Sequence, residues 1–381
     1  MKVLVIGGGM AGLTYAIMSA RQGNKVIVAE RNSRVGRKVA MSGNGRCNIG
    51  NLTVTLDCYN DSALVRHVLD AVPVDQYLSF LRSAGVYTYA DDCGRLYPVT
   101  DSASTVVDCL RFEAVRAGVE ILVDCPVVDR TKVGDKYVVD AGGQKLTVDC
   151  LVVACGSRSQ ADDPMTANLV GGKQYLTALC PSLVPVRLTD ADGTLNGVRN
   201  RAKVTLFCDG VAVAERSGEV QFKDYGLSGV CVFDLSAVIA RGIVKGEKHG
   251  YKFVVDLLPD FDEQTVKQIV QNNIDSGRDG LVGLVKNRVA DYVKKKISAT
   301  DNRFAERAAH LLKYMAFTFE KLLDYSMSQV TAGGVRVDCL SLPTLTLPDG
   351  VVVLGEALDV DGFCGGYNLY FAGASALSLF K

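Results

Sequence analysis

Hydrophobic and polar positions form a regular pattern along the first thirty residues of the chain. Residues 3–6 are a short, continuous apolar run, and residues 26–29 are a second one. Between the two runs, apolar residues recur at helical spacing at Leu13, Ala16 and Ile17. Continuous runs of this length are typical of parallel strands buried on both faces, and the spacing between them is typical of a helix. The pattern therefore predicts strand, helix and strand, joined as one βαβ unit.

A glycine-rich turn separates the first predicted strand from its helix, in the sequence GGGMAGL. In a dinucleotide-binding unit, Gly7 allows the tight turn, Gly9 lets the backbone approach a pyrophosphate, and Gly12 lets the helix pack closely on the strand. Glu30 ends the second strand. An acid at this place accepts hydrogen bonds from ribose hydroxyls, so it fits FAD or NAD and disfavours a 2′-phosphate. A purely structural glycine turn is the alternative.

The same patterns predict the elements that follow in the first half of the chain. They are helices near residues 62–71, 74–84 and 102–117, and strands near residues 119–123, 127–131, 136–140, 145–148 and 151–156. The last of these strands ends in small residues, which suits a second close approach of the backbone to the cofactor. A long polar loop precedes the helices and contains SGNGRCN at residues 42–48. We expect that loop to cover the cofactor.

The second half of the chain begins with short strands and glycine turns over residues 184–243, and residues 258–313 are helical in pattern. A buried strand is predicted at residues 351–354, and Gly365 and Gly366 open a final helix. We expect the backbone N–H groups of Gly366 and Tyr367 to point outward, where the positive end of the helix would stabilise an anionic reduced flavin. A helix that merely completes the fold is the alternative.

Composition and charge favour small-molecule chemistry. The chain has 381 residues, 48% of them hydrophobic, which is enough for two or three packed units. Lys plus Arg and Asp plus Glu both number 42, so no net field attracts a polyanion, and a nucleic-acid partner is not expected. The 12 cysteines show neither a C-x-x-C pair nor zinc-ligand spacing. We therefore expect no metal site and a reducing, cytoplasmic location.

Two long stretches without charge, residues 3–20 and 362–380, contain several glycines or polar residues and are not expected to span a membrane.

One segment has a local excess of positive charge, although the chain as a whole is neutral. Residues 286–313 carry eight Lys or Arg against three Asp or Glu. A solvated helical face explains such an excess, and contact with an anionic partner is the alternative.

Several motifs together resemble the bacterial BaiN-like flavoproteins, also described as aminoacetone oxidase-type or NAD(P)/FAD-dependent oxidoreductases. The motifs are, in chain order, GGGMAGL, SGNGRCN, LVVACG, GEVQFKDYGLSG, VTAGGV and GEALDVDGFCGGYNL. The resemblance spans nearly the whole chain, and SGNGRCN and GEALDVDGFCGGYNL are its most specific parts. It implies an α/β fold with α+β inserts: a discontinuous Rossmann-like FAD-binding domain, an inserted β-rich domain and a small helical subdomain.

The resemblance also implies domain boundaries and cofactor contacts. The FAD domain would comprise residues 1–183 and 326–381, the β-rich domain residues 184–250 and 314–325, and the helical insert residues 251–313. Gly7, Gly9, Gly12 and Glu30 would hold the ADP half of FAD, and Ala154 and Gly156 would approach the cofactor. Further cofactor-binding residues would be Met10, Ala11, Arg31, Arg37, Lys38, Val127 and Cys155. The flavin half would contact a second group, namely Ser42, Gly43, Gly45, Arg46, Cys47, Asn48, Gly355, Glu356, Asp359, Gly365, Gly366, Tyr367, Asn368 and Leu369.

The expected activity is hydride transfer between a small organic substrate and FAD, with NADH, NADPH or oxygen as the other redox partner. Tyr367, Tyr225 and Cys364 are candidate proton donors, although each is more typical of a packing residue. Cys47 has no partner cysteine at redox spacing, so we predict that it packs inside its loop. An FAD-dependent RNA-modifying protein and a non-catalytic flavin-binding protein are the alternative functions. The sequence leaves the substrate and the oligomeric state open.

The chain departs from the family pattern in three places. After LVVACG, the segment SRSQADDPMTANLVGG replaces the usual glycine-rich helix start, and SLPTLTLPDG replaces an acidic Ser-Lys motif before the last strand. The chain also ends at Lys381, where family members often continue. These departures concern the substrate side more than the FAD side.

Overall fold

The computed structural model describes residues 1–60, 63–159, 166–298 and 300–380. These residues form two compact units. The first unit is Met1–Cys180 together with the segment that begins at Gln329, and the second unit is Pro181–Ser328. The first unit is therefore built from both ends of the chain.

The bounds of the elements are as follows. The strands are β1 (Lys2–Ile6), β2 (Lys25–Ala29), β3 (Gly50–Asn51), β4 (Thr88–Ala90), β5 (Arg95–Pro98), β6 (Glu120–Leu122), β7 (Val127–Val133), β8 (Lys136–Ala141), β9 (Gln144–Val148), β10 (Cys150–Val153), β11 (Cys180–Ser182), β12 (Val186–Leu188), β13 (Arg199–Cys208), β14 (Val211–Lys223), β15 (Gly226–Ser228), β16 (Tyr251–Asp256), β17 (Met315–Leu322), β18 (Val330–Ala332) and β19 (Val352–Val353). The helices are α1 (Met10–Arg21), α2 (Arg37–Met41), α3 (Ala63–Ala71), α4 (Val74–Ser83), α5 (Ala103–Arg116), α6 (Thr166–Val170), α7 (Val230–Val244), α8 (Glu263–Asp275), α9 (Asn287–Lys296), α10 (Phe304–Lys313) and α11 (Tyr367–Leu377).

A parallel sheet in the order β19-β10-β1-β2-β6 forms the centre of the first unit. Its strands are continuous apolar runs because both faces are covered, and Val3, Leu4 and Val5 are fully buried. Since all strands run in the same direction, their carboxyl ends meet at one edge. The chain places β2 and β6 on one side of β1 and β10 and β19 on the other, so this edge has a topological switch point beside β1.

The first unit also contains two small antiparallel sheets, β3-β5-β4 and β7-β8-β9, and the strand β18. The predicted strands at residues 119–123, 127–131, 136–140 and 145–148 correspond to β6, β7, β8 and β9. Helix α3 corresponds to the helix predicted at residues 62–71, of which Ser62 lies outside the described residues. The predicted α/β class with a Rossmann-like sheet is confirmed.

The second unit is a closed antiparallel barrel in the order β12-β15-β14-β13-β16-β17, accompanied by helices α7 to α10. The prediction of short strands throughout residues 184–243 is wrong at Val230–Val244, which forms α7. This helix buries residues on most of its faces, among them Val232, Leu235 and Ile239. A helix that is apolar nearly all round has only a weak helical period, which is why it resembled a buried strand.

The boundary of the helical insert also differs from the expectation. Residues 251–256 were assigned to the insert, but they form β16, which pairs with β13 and β17 inside the barrel. The buried residues Tyr251, Phe253 and Val255 alternate with less buried ones, as in a strand with one face on the core.

Within the described ranges, no helix is long and apolar enough to cross a membrane.

Candidate cofactor site

A groove lies at the carboxyl edge of the parallel sheet, beside the switch point. Its cavity volume is about 220 Å³. Its lining residues are Ile6, Gly7, Gly9, Ala29, Glu30, Arg31, Asn32, Gly36, Arg37, Lys38, Cys125, Pro126, Val127, Val128, Ala154, Cys155, Gly156, Ser157 and Leu169. The groove thus brings together ten of the predicted cofactor-binding residues, among them Gly7, Gly9 and Glu30.

The three motif glycines have different surroundings. A Cβ atom on Gly7 would lie 2.4 Å from the carbonyl oxygen of Ala154, and one on Gly12 would lie 2.0 Å from the carbonyl oxygen of Gly7. A Cβ atom on Gly9 would meet nothing within 4 Å. Gly7 and Gly12 are therefore required by backbone packing inside the protein. Gly9 leaves open space in the groove, where a ligand can approach the backbone.

Helix α1 begins directly at this open space. Gly9 is its N-cap residue, and no side chain caps the helix. The first N–H groups of a helix lack partners within the helix and carry its partial positive charge, so they suit an anionic ligand group. Met10 and Ala11 are buried in the first turn. They pack in the hydrophobic core of the first unit and do not line the groove.

Glu30 is held in one orientation at the end of β2. One carboxylate oxygen accepts a hydrogen bond of 2.8 Å from the Gly8 N–H, and the other accepts one of 2.9 Å from the Asn32 N–H. The side-chain amide of Asn32 donates to Glu30 as well and accepts a hydrogen bond of 3.3 Å from Arg37. Because each carboxylate oxygen has two lone pairs, Glu30 keeps capacity to accept from a ribose hydroxyl.

An ion pair joins the groove to the carboxyl end of β19. Lys38 Nζ lies 2.9 Å from Glu356 Oε2 and 3.2 Å from Ser157 Oγ. The other oxygen of Glu356 accepts hydrogen bonds of 3.2 Å from the Ser159 hydroxyl and from the Thr331 N–H. Glu356 thus connects three separate chain segments. Ser157 and Ser159 open the segment that departs from the family pattern, of which residues 160–165 lie outside the described residues.

The residues predicted to contact the flavin half lie mainly around the start of α11. Asn48 is oriented so that its amide nitrogen donates to the Gly50 carbonyl and its oxygen accepts a hydrogen bond of 3.0 Å from the Gly366 N–H. A Cβ atom on Gly366 would lie 2.2 Å from that same Gly50 carbonyl oxygen. Asn51 donates a hydrogen bond of 3.1 Å to the Gly365 carbonyl. The segment that follows SGNGRCN therefore packs against the start of α11.

This arrangement corrects one expectation. The Gly366 N–H was expected to point outward, but it donates to Asn48. Gly366 has a left-handed backbone conformation, which favours glycine at this position. Asn368 accepts from the Gly362 N–H at 2.8 Å and donates to the Gly362 carbonyl at 2.9 Å. Its side chain closes the loop that precedes α11, a structural role that the sequence did not predict.

The remaining predicted residues are distributed around this region. Arg46 forms an ion pair of 2.8 Å with Asp101, and its guanidinium lies 4.5 Å from the centre of the Tyr97 ring. The Ser42 hydroxyl donates to the Val39 carbonyl at 2.6 Å. The others occupy three places: Gly43 and Gly45 in the turn after α2, Gly355 and Asp359 after β19, and Leu369 in α11.

The candidate proton donors lie in different units. Tyr367 and Cys364 belong to the first unit, whereas Tyr225 belongs to the second, in the turn between β14 and β15. Burial and the neighbouring Asp224 carboxylate raise the pKa of Tyr225. The Tyr367 carbonyl accepts a hydrogen bond of 2.9 Å from the Tyr59 hydroxyl. The role of each residue as a donor stays a prediction.

The Cys47 side chain is fully buried, and burial raises the pKa of its thiol to about 11. Since the thiolate is the reactive form, we expect Ellman's reagent at pH 8 to leave Cys47 unmodified in the folded protein. Cys93 is exposed and should react quickly. Mass spectrometry of tryptic peptides before and after unfolding measures both thiols.

The variant Cys93→Ser is the control, because it removes the exposed thiol and leaves Cys47 unchanged. Labelling of Cys47 in the folded protein at a rate similar to that of Cys93 would contradict its burial. It would then be a candidate reactive thiol.

The structure adds groove residues that the sequence analysis missed. They are Ile6, Ala29, Asn32, Gly36, Cys125, Pro126, Val128, Ser157 and Leu169. The segment at Cys125 and Pro126 had a usable signal, because it directly follows β6, whose carboxyl end lies at the same edge of the sheet. Leu169 had none, since it reaches the groove only through tertiary packing.

The groove fits an adenine dinucleotide. It has an open backbone position at Gly9, an uncapped helix start for a pyrophosphate and an oriented carboxylate at Glu30 for a ribose. These three features lie at a topological switch point, where open α/β sheets bind their ligands.

Comparisons with known proteins agree with this geometry. A family model described as the HI0933-like protein Rossmann domain matches residues 1–379. The 3-dehydro-bile acid delta(4,6)-reductase of Clostridium scindens is 30% identical over 398 residues, which cover 98% of this chain and 97% of that protein. The ribosomal RNA dihydrouridine synthases of Haemophilus influenzae and Escherichia coli are each 26% identical, covering 98% of this chain and 96% and 95% of theirs.

Proposed function

Because the chain belongs to the HI0933-like Rossmann family, we propose that it is an FAD-dependent oxidoreductase that reduces a small organic substrate with NADH or NADPH. The resemblance to BaiN-like flavoproteins inferred from the motifs is confirmed. The main support for the proposal is the free space next to the Gly9 backbone, in the groove that Glu30 also lines. The full-length similarity to a reductase favours reduction of a carbon–carbon double bond in the substrate.

When bound, FAD supplies the hydride chemistry at its isoalloxazine ring. The chain supplies binding and orientation. The start of α1 stabilises the negative charge of a pyrophosphate, and Glu30 fixes a ribose by accepting from its hydroxyls. The ion pair of Lys38 with Glu356 ties the groove to the segment after β19. We propose that this segment and the loop at residues 42–48 lie against the flavin ring. The Asn48 side chain of that loop accepts a hydrogen bond from the Gly366 N–H.

The visible spectrum of the purified protein and an anaerobic titration with NADH and NADPH test the proposal. We expect a flavin absorption band, FAD released on denaturation, and bleaching of the band by one of the two nicotinamides. The apoprotein should gain about 2.7 kcal/mol of stability when FAD is present at about a hundredfold excess over Kd. A colourless protein whose unfolding temperature does not respond to FAD would sink the proposal. Bound FAD that no donor reduces would favour a non-catalytic flavin-binding protein.

A second candidate function is modification of ribosomal RNA, which the names of two similar proteins suggest. The basic segment at residues 286–313 is the feature that could contact phosphates. Six of its eight Lys and Arg side chains already bind groups of the second unit. Four of them form ion pairs, namely Lys294, Lys295, Arg307 and Lys313. The other two, Lys286 and Arg288, donate hydrogen bonds to backbone carbonyl groups. This pairing disfavours the RNA function. Binding of ribosomal RNA that weakens steeply with salt would support it.

A further inference from the structure

Three basic side chains stand in one row across neighbouring strands of the barrel. Lys223 in β14 is opposite Gly226 in β15, Gly226 is opposite Arg187 in β12, and Arg187 is opposite Lys321 in β17. Residues directly opposite each other in a sheet point to the same face. Lys223, Arg187 and Lys321 therefore share one face, and we call them the basic row.

The basic row lies on the outer face of the barrel. The residues next to it in sequence, Val186, Phe222 and Leu227, are buried in the hydrophobic core of the second unit. Side chains of a strand alternate between the two faces, so the basic row points away from that core. Gly226 leaves the row without a side chain between Lys223 and Arg187. A Cβ atom there would lie 2.3 Å from the Val186 carbonyl oxygen, so the opening is enforced by packing.

The charges of the basic row are not neutralised by the protein. Across the described ranges, no ion pair involves any of its three side chains. The nearby acids Asp224 and Glu320 are exposed and form none with the row. Like charges directly opposite each other, as in Arg187 and Lys321, destabilise a sheet. A row of cationic side chains without ion-pair partners is suited to binding an anion.

Arg187 provides a second, independent observation. Its Nε atom is buried and has no hydrogen-bond partner among the described residues. A buried donor without an acceptor is costly and rare in folded proteins. The register of β12 against β17 also shifts between Arg187 and Leu188. Such bulges change the direction of a side chain and are common beside functional sites.

We propose that the basic row binds the carboxylate group of a small organic ligand. A guanidinium matches a carboxylate with two parallel hydrogen bonds, so Arg187 would be the principal partner. A carboxylate would accept from the terminal guanidinium nitrogens of Arg187 and would neutralise the repulsion between Arg187 and Lys321. Lys223 would add charge from the other side of Gly226. Neither the FAD groove nor the proposed redox activity requires this site.

Calorimetric titration of the FAD-bound protein with cholate and with its uncharged methyl ester tests the site. We expect the wild type to bind cholate about tenfold more tightly than the ester. Arg187→Met should remove this preference by weakening cholate binding about tenfold, with the affinity for the ester unchanged. Lys321→Gln should reduce the preference about threefold. It replaces an exposed side chain, so it keeps the test valid if Arg187→Met fails to fold.

Lys252→Gln is the matched control. Lys252 is an exposed barrel lysine whose cross-strand neighbours, Phe207 and Thr318, are uncharged, and its replacement should leave both affinities unchanged. Equal binding of cholate and its ester by the wild type, or binding of neither, would overturn the proposal. Tighter binding of inorganic phosphate than of cholate would overturn the carboxylate assignment. The flavin spectrum and its reduction by a nicotinamide report separately on the proposed redox function.

Discussion

Replacing Gly9 with leucine is expected to weaken FAD binding strongly and to leave the apoprotein folded. The new side chain would extend into the open space of the groove, where a Cβ atom meets nothing within 4 Å. It would occupy the place that we assign to the pyrophosphate. We expect Kd for FAD to rise at least about 100-fold, equivalent to about 2.7 kcal/mol. Fluorescence titration with FAD and the flavin content of the purified protein measure the effect.

Gly9→Ala is the matched control for this experiment. Gly9 has φ of −84°, so neither substitution strains the backbone. Both replace a glycine N-cap with an apolar residue, which should cost the apoprotein about 1 kcal/mol, but alanine fills much less of the groove. We expect Gly9→Ala to bind FAD clearly more tightly than Gly9→Leu. Normal flavin content in Gly9→Leu would contradict the assignment of the groove to FAD.

Replacing Gly12 with alanine is expected to destabilise the protein itself. The added Cβ atom would lie 2.0 Å from the carbonyl oxygen of Gly7, and backbone on both sides leaves little room to adjust. Overpacking at such a contact costs about 3 kcal/mol. Chemical denaturation of the apoprotein should show this loss, and addition of FAD should not restore wild-type stability.

Gly193→Ala is the control for Gly12→Ala. A Cβ atom on Gly193 would meet nothing within 4 Å, and its φ is not in the left-handed region. We expect its stability to remain within about 0.5 kcal/mol of the wild type. If Gly12→Ala were equally stable, helix α1 would have to move away from β1 without cost. The close packing that defines the start of the groove would then be wrong.

Several parts of the fold could be predicted because their signals are local. The strands at residues 3–6 and 26–29 are continuous apolar runs, and the glycines between them meet steric requirements of a single turn. Ten of the predicted cofactor-binding residues, among them Glu30 and Gly156, line one groove. They meet because parallel strands place their carboxyl ends at the same edge.

Helix α7 was assigned wrongly because burial hides the period on which the assignment depends. Strand β16 was placed in the helical insert by the domain bounds that the resemblance implied, although its residues alternate as in a strand. A helix buried on most faces and a buried strand are both apolar throughout, so only the packing around residues 230–244 distinguishes them. The roles of Asn48 and Glu356 were also beyond local patterns. Each bonds to groups distant in sequence, Gly366 for one and Lys38 for the other.

The sequence by itself determined the βαβ unit, its dinucleotide chemistry and its family, because these depend on residues close together in the chain. Only the tertiary structure decided that Gly7 and Gly12 pack closely against backbone, whereas Gly9 borders free space. It also directed the Gly366 N–H to Asn48 and aligned Arg187 with Lys321. The physical reason is that hydrogen-bond partners, strand register and free space are set by segments that meet only when the chain folds.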